Sequence, residues 1–347
     1  MKVSRLLLPL SLLAAVPVGI AFNPTSETLD LTPRFKEGRT ITISQTFTAE
    51  GALDELEVMV DGAQAIDGSA ISADLELTGT IEMSEEVLAV RDGQIAKINV
   101  TMDTMDVGVS GSYDAMGDGD DIDESVETDV VGHTVAITID EEGEVTREDV
   151  TEGDMEPLTP EEMAGMTHKN HFEMLLPEEP VEEGTPFELA PDWEELMRDT
   201  MSSMDTAGMG EDERRAAEGF MNAFVDATTL DAVGTVTGVE DGVATIDYEL
   251  SASMNIDDLV EVLKSIAPPG EMDEVPPGIE SMVEATAEFS GTGTFDMKLG
   301  QMTSLNLAGD LEISVSGNAD MGGSSASASL LMSGSMEIAA KLTAEDV

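Results

Sequence analysis

The chain has 347 residues, 73 acidic against 15 basic, a formal charge of −58 and no cysteine. That length supports one large domain or two ordinary ones with real apolar cores, and the lack of thiols excludes disulfides, thiol catalysis and a lipid anchor on a modified cysteine. The charge argues against nucleic acid and anionic membrane surfaces as partners, because both are held by Lys and Arg clusters; it fits a solvated surface in a saline environment, where salt screens self-repulsion.

Residues 1–21 read as a signal peptide. Lys2 and Arg5 precede the apolar run from Leu6 to Ile20, and Gly19 and Ala21 are small residues where a signal peptidase reads. Pro9 and Pro17 interrupt the run, which is shorter than the roughly 20 residues of a spanning helix. The expectation is an exported chain, periplasmic or extracellular, with no transmembrane anchor after cleavage near Ala21.

Residues 22–155 read as an antiparallel β domain. Ile41, Ile43 and Phe47 alternate with Thr and Ser; Leu75, Leu77, Ile81 and Met83 share one face, as do Val131, Val135, Ile137 and Ile139. Arg91-Asp92-Gly93 and Glu141-Glu142-Gly143 are hairpin turns in which Gly supplies positive φ. Between Ile98-Val100-Met102 and Met105-Val107-Val109 the alternation changes phase, as across a β-bulge. The stretch from Asp114 to Glu124 reads as an acidic loop, in which Asp114, Asp118, Asp120, Asp121, Asp123 and Glu124 offer oxygens to a hard cation such as Ca²⁺. The EF-hand pattern fails there, since Asp123 stands where glycine is required, and a solvated loop is the alternative.

Residues 156–228 read as a helical or extended connecting section. Thr159-Pro160-Glu161-Glu162 is a capping box with Pro in the first turn. Asp192 and Glu195 repeat the device before Met197, Met201 and Met204 at helical spacing, and a further helix is expected over about 212–225. The Met stripe reads as an adaptable packing face that could line an apolar ligand site, ahead of a Cu(I) site. His168, His171 and Glu173 do not follow a zinc signature; His133, on an apolar face, reads as a satisfied core histidine.

Residues 229–347 read as a second antiparallel β domain carrying one amphipathic helix, with Ile256, Leu259, Val260, Leu263 and Ile266 on one side. Glu240-Asp241-Gly242 and Leu299-Gly300-Gln301 mark hairpins. From Ala326 to Ala344 the apolar residues, including Leu330, Met332 and Met336, fall on even positions, far beyond the roughly 5 to 6 residues of a typical strand. A long curved strand with Gly334 as its bending point is expected, beside a hairpin neighbour holding Leu305, Leu307, Leu311, Ile313 and Val315. The expected class is α+β, mainly β: long curved antiparallel sheets, as a half-barrel or two related β domains, with a helical middle section.

Arg34-Phe35-Lys36-Glu37-Gly38, the segment from Glu86 to Gly93, the segment from Leu175 to Gly184 and Gly293-Thr294-Phe295-Asp296-Met297 together resemble a group of uncharacterised secreted bacterial proteins. The resemblance implies paired, mostly antiparallel sheets, curved like the open half-barrels of the LolA and LppX lipid carriers, and implies no activity or site residue. No catalytic motif is present: carboxylate pairs are expected by chance in so acidic a chain, and neither a phosphate-binding Gly-Lys-Ser/Thr loop nor a Gly-x-Ser-x-Gly elbow occurs. The leading reading is a noncatalytic envelope or extracellular protein, without cofactor, that binds a lipid or other apolar ligand, or an envelope protein, on the concave side of a curved sheet. Met197, Met201, Met204, Leu330, Met332 and Met336 are its candidate apolar face. The alternative is a structural or adhesive protein with an acidic, calcium-binding surface.

Overall fold

The computed structural model describes residues 28–66, 71–115, 118–126, 128–166, 172–189, 223, 225–257, 279–320 and 324–346. Its strands are β1 (Arg39–Val60), β2 (Ala63–Ile66), β3 (Ile71–Arg91), β4 (Gln94–Ala115), β5 (Asp118–Val126), β6 (Thr134–Ile139), β7 (Val145–Asp149), β8 (Pro186–Glu188), β9 (Thr228–Glu240), β10 (Val243–Ile256), β11 (Ile279–Asp296), β12 (Gln301–Asp320) and β13 (Ser325–Asp346). They join one antiparallel sheet in the order β7-β6-β4-β3-β1-β13-β12-β11-β10-β9-β8, with β2 beside β1 and β5 beside β4.

This order is an up-and-down meander whose first and last long strands, β1 and β13, pair along their length in the middle of the sheet. A closed barrel of the same meander would also pair its remaining ends. Here those ends, β7 and β8, are the sheet's two edges, and the connecting section separates them in sequence. The strands that the sequence assigns to two β regions thus share one sheet.

Local chemistry fixes the register. In the β3–β4 and β9–β10 turns both central residues have positive φ, 51° and 85° at Asp92 and Gly93, 54° and 89° at Asp241 and Gly242. Asp-Gly tolerates that geometry, and it matches the twist of the strands it joins. The expected phase change in β4 is a bulge: Met83 pairs with Met102 but Glu82 with Thr104, leaving Asp103 as the extra residue. Its carboxylate accepts a 2.6 Å hydrogen bond from Ser84 Oγ.

The core occupies one end of the sheet, here called proximal, where the β3–β4, β9–β10 and β11–β12 turns lie. Val87, Ile98, Val135, Ile137, Val236, Ile246 and Phe295 are fully buried there. The covering layer comes from residues 28–38 and from the described part of the connecting section, through Leu31, Leu158, Met166, Phe172, Leu175, Leu176 and Leu189. Backbone hydrogen bonds pin it: Leu29 N–H to Val181 O at 2.7 Å, Gly184 N–H to Val236 O at 2.8 Å, and Leu189 N–H to Ala232 O at 2.9 Å. The Tyr248 hydroxyl donates to Leu175 O at 3.0 Å, and burial pushes its pKa up.

Among the described residues the expected helical middle section is not shown. Its described helical residues are α1 (Pro160–Gly165), which carries the expected Thr159/Glu162 capping box, a 3₁₀ turn at Glu173–Leu175, and residues 223 and 225–227. The rest of its described length is non-helical because Pro157, Pro177, Pro180 and Pro186 interrupt any run of i to i−4 bonds. The expected helix over Asp192 to Met204, most of 212–225, and 258–266 lie outside the described residues. Ile256, expected to open a helix, instead ends β10.

Candidate functional site

β1, β4 and β13 each run 22 residues, about 70 Å at about 3.3 Å per residue, and the covering layer reaches only their proximal part. The same alternation continues past it, so the sheet's apolar face emerges from the core into the open. Two adjacent rows of directly paired residues form this distal apolar face. One reads Ile122, Gly111, Leu75, Gly51, Gly334, Leu311 across β5, β4, β3, β1, β13 and β12. The next holds Tyr113, Met332 and Ile313.

Five of these side chains are open, and Ile313 is half-buried. Leu75 is 49% and Tyr113 48% exposed, and Ile122, Leu311 and Met332 are also exposed. Toward β10 the face closes again in a small cluster of Met254, Ile256 and Val283, with Val315 packed against it.

Glycine shapes the first row. A Cβ on Gly111 would run into Asp74 O, and one on Gly334 into Glu50 O, so only glycine permits this close strand approach. Backbone carbonyls fill those positions, and Leu75 stands between Gly111 and Gly51 in the row.

The opposite face is hydrophilic. Glu76, Glu50, Ser335, Asp310 and Glu288 form one row, in which Glu50 directly opposes Glu76 and Asp310 opposes Glu288. Asp74 and Glu312 stand in the next row. This face borders a hollow of about 810 Å³ that spans β4 to β11. The concavity here is therefore lined with carboxylates and serines, whereas the sequence placed an apolar ligand on the concave side.

Of the residues singled out from sequence, Met332 belongs to the exposed face, and Leu330 and Met336 flank it on the same side of β13, half-buried. Met197, Met201 and Met204 lie outside the described residues, as do His168 and His171. The acidic stretch is not a loop but the β4–β5 hairpin. Asp114 ends β4; Asp118, Asp120, Asp121, Asp123 and Glu124 lie along β5. Strand alternation separates Asp121 and Asp123, paired with Ser112 and Ser110 on the hydrophilic face, from Asp120 and Glu124, paired with Tyr113 and Val109 on the apolar one. The arrangement does not converge them on one point, and no group of three or more potential metal ligands occurs among the described residues.

His133 is buried, with Nδ1 at 3.3 Å from Asp149 Oδ2 and 3.1 Å from Thr151 Oγ1. Desolvation acts to raise the Asp149 pKa, but it is outweighed by hydrogen bonds from the Thr151 hydroxyl and the Leu158 and Thr151 N–H groups, with the His133 charge adding to them, and the pKa falls to about 2. Both polar partners use one ring nitrogen, so the trio lacks the relay of a nucleophile on one side of an imidazole and a carboxylate on the other. Its geometry fastens the β6–β7 edge to the covering layer.

Ile122, Tyr113, Leu75 and Leu311 were not singled out from sequence as a site. Their signal was available: glycines at Gly51, Gly111 and Gly334 inside otherwise alternating strands. No helix among the described residues is long and apolar enough to cross a membrane. Compared with known proteins, the chain matches no family model and no curated protein.

Proposed function

We propose that the chain is a noncatalytic, exported binding protein that holds an apolar ligand against the distal apolar face of its sheet. The observation that carries this reading is the exposure of Leu75, Ile122, Leu311, Tyr113 and Met332 in two adjacent rows of one face. Burying such side chains contributes about 25 cal/mol per Å², and the proximal core, complete without them, leaves that free energy to a ligand. The leader-like residues 1–21 support export.

The test is titration of the mature chain with the neutral apolar dye N-phenylnaphthylamine, alongside organic extraction and mass spectrometry of protein purified from its own host. Saturable dye binding, weakened at least about tenfold by Leu75→Asn with Leu311→Asn, is the expected result. Absence of saturable binding, or binding untouched by the double change, overturns the reading.

A further inference from the structure

The distal apolar face carries one side chain whose polarity can change after folding. Met332 lies on β13 between Leu53 of β1 and Ile313 of β12, its direct partners in the two ladders. It is 36% exposed, and among the described methionines only Met155, at 46%, is also exposed. Met155 stands beside Gly132 in the turn before β6, outside the distal rows. The sequence has no cysteine, so sulfur oxidation falls on methionine alone, and exposure selects Met332 and Met155 among the described ones.

Hydrogen peroxide oxidises a thioether by oxygen transfer. A sulfur lone pair attacks one peroxide oxygen, an S–O bond forms and the O–O bond breaks. The departing hydroxide takes the proton of the transferred hydroxyl and leaves as water; sulfur loses the two electrons that peroxide gains. The product is a polar, chiral sulfoxide in place of an adaptable apolar side chain. Its oxygen is a hydrogen-bond acceptor, and the side chains of Leu53 and Ile313 offer it no donor. An apolar ligand laid over this position strips water from that oxygen without replacing it, which weakens binding.

We infer that Met332 makes the distal face redox-sensitive: oxidised by peroxide to the sulfoxide, the face releases its apolar ligand, and reduction of the sulfoxide restores binding. This rests on the apolar-face reading above and adds its regulation.

The test measures N-phenylnaphthylamine affinity of the full mature chain before and after graded hydrogen peroxide, with peptide mass mapping to assign oxygen to each methionine. The expected result is a loss of affinity of at least about fivefold that tracks conversion of Met332. Methionine sulfoxide reductase with dithiothreitol should restore it. For Met332→Leu the readout is the ratio of its own affinities with and without peroxide, so a change in its starting affinity does not enter. That ratio should stay within about twofold of one, whereas Met155→Leu should lose affinity as the wild type does.

Full oxidation of Met332 with unchanged dye affinity overturns the inference and leaves the apolar-face reading standing. An equal loss in Met332→Leu does the same, because the sensitivity then lies at another residue. Met332 left unoxidised while Met155 converts also overturns it. Absence of saturable dye binding by the untreated chain overturns the apolar-face reading, and the inference with it.

Discussion

The two ends of the sheet are built from the same strands and the same alternation, yet they differ in what their apolar side faces. Ile43 and Phe47, two positions apart on one side of β1, pass from buried to half-buried, and on the neighbouring strand Leu75 stands open. Alternation in a strand states which residues share a face; it does not state what lies over that face. The proximal end is a two-layer structure closed by described residues of the connecting section, whereas none of those described residues joins a core with the distal patch from β5 to β12. The largest expected effect tests this contrast directly. Phe295→Ala, at a fully buried position, costs about 3–5 kcal/mol, while Leu311→Ala in the distal row costs about 1 kcal/mol or less, since little burial is lost. Urea unfolding of the two variants measures both, and equal costs would mean that the two ends are packed alike.

A second break concerns the glycines. Gly334→Val places a Cβ against the Glu50 carbonyl, and relieving that contact costs about 1–3 kcal/mol. Hydrogen exchange should rise in the distal parts of β1, β12 and β13, while the amides near Ile98 and Phe295 stay protected. Loss of protection throughout would show that the distal strands are required for the core to hold.

The meander itself was legible in the sequence because each device acts locally. Asp-Gly turns, the phase change at Asp103 and the even-numbered apolar run of β13 depend on neighbours within a few residues. The pairing of β1 with β13 was not, since strands separated by nearly the whole chain carry no mark of adjacency. Nor was the fate of Asp118 to Glu124: acidic residues and glycines favour loops, but Tyr113 and Ile122 occupy alternating positions that suit a hairpin, and the edge of β4 was available to receive it. The distal face was half legible. Leu330, Met332 and Met336 follow from parity, whereas the exposure of Leu75 and Leu311 depends on the extent of a covering layer that parity does not encode.

Fastening of that layer provides the third test. Asp149 has its pKa held at about 2 in the folded chain, against about 3.9 in an unfolded one. A depressed folded value means that the carboxylate contributes stability above about pH 4 and loses it as pH falls through about 2. Asp149→Asn exchanges charge-assisted hydrogen bonds for neutral ones, a cost of about 1 kcal/mol at pH 7, and this cost should vanish toward pH 2. Urea midpoints of wild type and variant across that window measure it. A difference independent of pH would place the cost in packing rather than in charge.

The smallest expected effect concerns the opposed carboxylates on the distal hydrophilic face. Glu50 faces Glu76, and Glu288 faces Asp310, with no Lys or Arg in the surrounding strand segments. Like charges directly opposite in a sheet oppose pairing by about 0.2–1 kcal/mol each. Glu50→Gln with Glu288→Gln should therefore slow distal hydrogen exchange at low ionic strength, and the gain should fade in 1 M NaCl, where the Debye length is about 3 Å. Calcium and magnesium at equal ionic strength separate screening from binding: equal stabilisation by both is the screening result, and a calcium-specific gain would mean that the carboxylate rows hold the ion. Proximal amides should not respond to the two Gln changes, because their protection comes from the buried layer and not from the balance of charge on the distal hydrophilic face.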